Sequence, residues 1–170
     1  MNDAHLHLLV NHFPIIGTIF ALGILIAGIF LKNNSIKNTA FILLIIATIF
    51  GAISMSTGEG AEEIVEELPN ISHDIIHNHE ELAEKFILVL YATGAFALLS
   101  LIASLKKHNK ANLFALLTLL LTVVAVVLAK EVGTSGGEIR HTEIRANAVP
   151  TAGAEQNPTS REQGESTDKH

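Results

Sequence analysis

Four stretches of this chain contain no aspartate, glutamate, lysine, arginine or histidine: Phe13 to Leu31, Thr39 to Ser56, Phe86 to Ser104 and Asn112 to Ala129. Each is 18 or 19 residues long. A hydrocarbon layer of roughly 30 Å is crossed by about 20 apolar residues in helical form. Inside it every backbone N–H and C=O must be satisfied within the segment, which a helix does. Four runs of matching length therefore predict an all-α integral membrane protein, a four-transmembrane-helix bundle made of two helical hairpins. The expected spans are about 5–31, 39–56, 74–104 and 112–130, in a membrane domain of residues 1–145. The charged fraction, 16%, agrees with this, since a soluble domain carries about 25%.

The loops give an orientation. "KNNSIKN" and "KKHNK" together hold five lysines and no carboxylate, whereas the segment between the second and third runs holds nine carboxylates and one lysine, Lys85. Basic short loops stay on the cytoplasmic side. The expected location is the bacterial cytoplasmic membrane, multi-pass, with both termini outside. The start, "MNDAHLHLL", lacks the basic n-region of a signal peptide, so the first run is expected to remain in the protein. Within the acidic segment "AEEIVEEL" reads as a short amphipathic helix over about 61–68. Ser72 is placed to cap the third helix, with Asp74 in its first turn. From Ala146 to His170 the chain has too few large apolar residues to order itself and reads as a disordered tail.

The second and fourth helices leave the membrane through similar glycine-bearing stretches, "STGEGAEE" and "GTSGGEIRH". Glycine is the usual residue just past a helix end, and turns of exposed N–H groups cradle anions. The matching ends also point to an internal duplication.

Seven of the nine histidines fall on the side of the acidic loop: His5, His7, His12, His73, His77, His79 and His141. At about 100° per residue, His79 shares a stripe with Ile75, Ile76, Leu82, Ala83 and Phe86, while His73, His77, Glu80 and Glu84 fall opposite. On the first helix His7, Asn11, Pro14, Thr18, Ala21, Leu25 and Gly28 form a line of mostly small or polar residues, the kind that lets membrane helices approach. Pro14 breaks the local hydrogen bonding and offers a way to turn His12 inward. His7, His12, His79 and His141 are thus expected to converge at the outer end of the bundle. Neutral imidazole is a ligand for haem iron, zinc and copper, and bundle interiors house such sites. The absence of cysteine excludes c-type haem, iron–sulfur clusters and thiolate zinc.

"HLLVNHFPI" (His7 to Ile15) resembles the opening of a family of small, uncharacterised four-helix bacterial membrane proteins, domain of unknown function 2231, and "GGEIRH" (Gly136 to His141) resembles its closing motif. The likeness spans roughly residues 5 to 145, with Leu8 standing where the family often has proline. It implies a neighbourhood of redox modules, which suits a haem protein.

The first expectation is accordingly an integral membrane b-type haem protein passing electrons to a periplasmic or membrane redox protein. Its histidine ligands come from His7, His12, His79 and His141, and Arg140 serves the propionates. The second is a transition-metal site of the same histidines with Glu59, Glu62 or Glu138, or a weaker surface site at His73 and His77. The third is a non-catalytic accessory subunit. Spans free of ionisable residues argue against a pump or channel, no nucleophile–base pair stands out for a hydrolase, and a net charge of −6 argues against nucleic acid.

Overall fold

The computed structural model describes residues 2–68 and 71–145. The expected tail from Ala146 onward and the break at Pro69 and Asn70 lie outside these residues. Five helices follow in order: α1 (Asp3–Val10), α2 (His12–Phe30), α3 (Asn34–Glu66), α4 (His73–Leu105) and α5 (Ala111–Arg140), then a 3₁₀ turn at Thr142–Ile144. Taken with α1 and α2 as one run, four helices are long and apolar enough to cross a membrane. In the bundle α2 packs on α3, α3 on α4, α4 on α5, and α5 closes the ring on α2.

The interior is small and the exterior large, the reverse of a soluble protein. Ala21, Ala40, Ala97, Ala125 and Ala129 are fully buried, as are Thr18, Thr93, Thr118, Thr122 and Ser100. Many leucines, isoleucines and phenylalanines point outward, with Phe20 66%, Phe30 82% and Leu88 68% exposed, while Leu25, Phe41, Leu44 and Leu90 are large side chains buried among the small ones. Lipid tails are as apolar as leucine, so burying leucine between membrane helices gains little, while small residues let backbones close up. The buried hydroxyls cost nothing unpaired: Thr93 donates to Val89 C=O, Thr122 to Thr118 C=O, and Ser100 and Thr118 bond each other at 2.8 Å. The line read along the first helix is the one buried, at Pro14, Thr18, Ala21, Leu25 and Gly28.

Two local features depart from the expected spans. The first span is not one helix: it breaks at Asn11, because Pro14 lacks the N–H that would bond Val10 C=O and its ring crowds that carbonyl. The short piece α1 then leans on the C-terminal half of α3. The second departure concerns glycine. α3 and α5 run straight through "STGEG" and "GTSGG", no glycine among the described residues has a positive φ, and the amphipathic stretch is the last part of α3, not a separate helix. These glycines serve close approach instead: a Cβ on Gly60 would stand 2.8 Å from the Asp3 Cβ. With the segments helical, the anion-cradling turns expected there do not form.

The two hairpin turns are twins. In the first, Lys32 N–H bonds Ile29 C=O and Asn33 N–H bonds Gly28 C=O; in the second, Lys107 N–H bonds Ser104 C=O and His108 N–H bonds Ala103 C=O. Both are Schellman closures. Both put a lysine at the left-handed position, Lys32 with φ 50° and Lys107 with φ 52°. Lys37 and Asn112, equally spaced after these turns, meet across the bundle, Nζ to Oδ1, at 3.2 Å. The two turns thus match in hydrogen bonding, in φ and in the spacing of the polar residue that follows.

Candidate cofactor site

Of the four histidines expected to converge, the structure brings two inward and leaves two outside. His7 lies half-buried against α3. Its Nδ1 is 3.0 Å from Ser54 C=O and 3.2 Å from Thr57 Oγ1. A carbonyl can only accept, so the proton sits on Nδ1, and Nε2 carries the lone pair. The Thr57 hydroxyl is itself committed as a donor to Ser54 C=O at 2.9 Å, so it too accepts from the ring.

His79, on α4, is held the same way from α5. Its Nδ1 is 2.9 Å from Ser135 Oγ. Ser135 donates its proton to Val132 C=O at 3.1 Å, so its oxygen accepts from His79 Nδ1–H. Again Nε2 keeps the lone pair. Neither Nε2 has a hydrogen-bond partner among the described residues, and the two rings are within electrostatic reach of each other. Glycine makes room for both: a Cβ on Gly58 would lie 3.8 Å from His7 Cε1, and one on Gly136 only 3.0 Å from His79 Cε1. One turn along from His7, Asn11 Oδ1 is buried without a partner among the described residues.

His12 and His141 do not join this pair. The break at Asn11 leaves the last carbonyls of α1 in need of donors, and His12 turns back so that its Nδ1 sits 3.0 Å from Leu8 C=O, exposed on the outer surface. His12 instead borders an apolar groove of about 330 Å³ between α2 and α3, beside Phe13 and Phe50, whose rings stack at 4.5 Å. His141 caps α5, and its exposed ring bonds Glu143 at 2.9 Å. That bond and the Glu143 backbone N–H hold the Glu143 carboxyl below its usual range, the backbone contributing more. Arg140 is exposed and makes no hydrogen bond among the described residues, while Arg145 folds back on the Glu138 and Ile139 carbonyls. Glu59 is exposed. His73 pairs with Glu66 at 2.9 Å and His77 with Glu80 at 3.8 Å, with both histidine rings exposed.

Sequence reading missed the residues that orient the rings: Ser54, Thr57 and Ser135. The available signal was a hydroxyl within a turn of each glycine stretch. Among the described residues no group of three or more histidine, aspartate or glutamate side chains is arranged to hold a metal ion.

No curated protein and no solved structure matches this chain. A family described as "Predicted membrane protein (DUF2231)" matches residues 4–143, nearly the whole described structure, including both histidine-bearing ends. The chain belongs to this family of predicted membrane proteins.

Proposed function

We propose that the protein binds a b-type haem between His7 and His79 and passes electrons at the end of the bundle that carries them. The observation that carries this reading is the matched pair of imidazoles. Each is oriented through Nδ1 to a backbone carbonyl, directly or through one hydroxyl, and each offers Nε2. Ligating histidines are held through the other nitrogen in this way. The donor set fits haem better than a bare ion. A structural zinc asks the protein for four ligands and a catalytic one for three, whereas haem iron takes its equatorial nitrogens from the porphyrin and asks for two. When bound, the haem supplies one-electron transfer. His7 and His79 would hold the iron, Ser54, Thr57 and Ser135 would orient their rings, and burial would set the potential.

By the lysine-rich turns, this end faces outside the cytoplasmic membrane, where a soluble or membrane redox protein would meet it. The test is an absorption spectrum of the protein purified from haem-replete cells, oxidised and reduced. A Soret band that shifts on reduction supports the proposal, and its absence refutes it. Transition metal at one or more ions per chain without a Soret band would replace haem by a metal site. Neither would leave an accessory subunit. The hydroxyl that orients His79 gives a graded check: Ser135→Ala should weaken haem affinity by about 10–100-fold while leaving the fold intact, measured by competition with an apo-haem acceptor.

A further inference from the structure

At the end of the bundle opposite His7 and His79, the twin turns border a cavity of about 580 Å³. Its rim is basic, with Lys32 from the first turn, Lys37 from the start of α3, and Lys107 and His108 from the second turn. The two turn segments supply five lysines and no carboxylate.

Lys37 decides what the cavity is for. The residue is only 8% exposed, and its ammonium gives one hydrogen bond, to the neutral Asn112 side chain at 3.2 Å. None of the ion pairs among the described residues involves it. At the cavity wall this ammonium, with one neutral partner, has donors left for an anion. His108 adds a neutral donor. Its Nδ1 accepts the Lys110 N–H at 3.1 Å, which leaves the ring proton on Nε2. Below the cations the wall turns apolar, at Ile29, Ala115 and Leu116, and Leu116 is 49% exposed toward the surroundings.

We infer that this cavity binds a phosphate group, countered by Lys37 from inside and by Lys32 and Lys107 from the two turns. Lysine serves phosphate as a point charge, and basic pockets between membrane helices take anionic lipid headgroups. The group reaches the site either on an anionic phospholipid, whose acyl chain the apolar wall suits, or as a free phosphate in water. The site is independent of the histidine pair at the other end.

The full-length protein in neutral detergent provides the test. Its unfolding midpoint and native mass spectrum are recorded with added phosphatidylglycerol, phosphatidylcholine or inorganic phosphate. A midpoint raised by phosphatidylglycerol, with the lipid retained in the spectrum, supports the lipid source. A rise with inorganic phosphate alone supports the free one. No rise with either, or an equal rise with phosphatidylcholine, overturns the inference. Asparagine tolerates the left-handed conformation, so Lys32→Asn with Lys107→Asn removes both charges and leaves basal stability equal or higher. At about 1 kcal/mol per lysine, or about fivefold in affinity, the pair should weaken binding about 25-fold. Lys106→Gln with Lys110→Gln deletes the same charge outside the cavity lining and should bind as the parent does. If this control loses as much as the cavity variant, the attraction is diffuse and no site exists. Lys37→Gln should abolish the response if it folds, and the asparagine pair decides the matter if it does not.

Discussion

Replacing His79 with alanine should reduce the proposed haem retention by more than about tenfold, because it removes one of the two inward imidazoles found among the described residues. His7→Ala should do the same. His12→Ala and His141→Ala should retain the Soret band, since those rings bond Leu8 C=O and Glu143 on the outer surface. His73→Ala should also retain it, its ring being occupied with Glu66. The contrast separates ligation from general damage, because all five are single truncations at the same end of the bundle. Loss in the His12 or His141 variants equal to that in the His79 variant would overturn the two-ligand assignment.

The second large effect is structural. Gly28→Ala should lower the unfolding midpoint by several degrees, whereas Gly23→Ala should leave it unchanged or raise it. Both exchanges favour the helix, by about 0.5–1 kcal/mol. At Gly23 the new Cβ meets nothing within 4 Å. At Gly28 it would stand 2.8 Å from the Lys37 backbone N and 3.2 Å from the Ile36 carbonyl carbon. Backbone cannot rotate away as a side chain can, so α2 and α3 must separate, with an overpacking cost of about 1–3 kcal/mol. Thermal unfolding of both variants in the same detergent reads the difference directly. Equal midpoints would mean that the two helices do not approach this closely at their turn.

The membrane architecture was legible because its cause is one-dimensional. A charge-free run of the right length has few fates, and the spans about 74–104 and 112–130 lie within α4 and α5, which extend at most ten residues beyond them. The buried line from Pro14 to Gly28 was legible for a similar reason, since helical periodicity carries facing along an unbroken helix. Facing failed at His12, where the inward turn expected from Pro14 does not occur. The backbone stays right-handed helical through Asn11, and His12 keeps the outward face that it shares by periodicity with His5, Ile16 and Ile19. His141 follows the last residue of α5, where the backbone leaves the helix and periodicity no longer applies. The glycine stretches misled in a different way. Glycine signals both a helix end and a close contact, and only the neighbouring helix decides which. For Gly58 and Gly136 that neighbour is a histidine ring, from α1 and α4 respectively. The buried Lys37 could not be found at all from a single sequence, because its burial depends on the second turn meeting the first.

Gly58 and Gly60 in α3, and Gly133, Gly136 and Gly137 in α5, all sit in regular helix at one end of the molecule. Each weakens its helix by about 0.5–1 kcal/mol relative to alanine. That end should open locally before the rest, and amide hydrogen exchange should be fastest there and slowest around Leu44 and Leu90. On the proposed haem reading, the group would enter by transient fraying of these two helix ends while the remainder of the bundle stays folded.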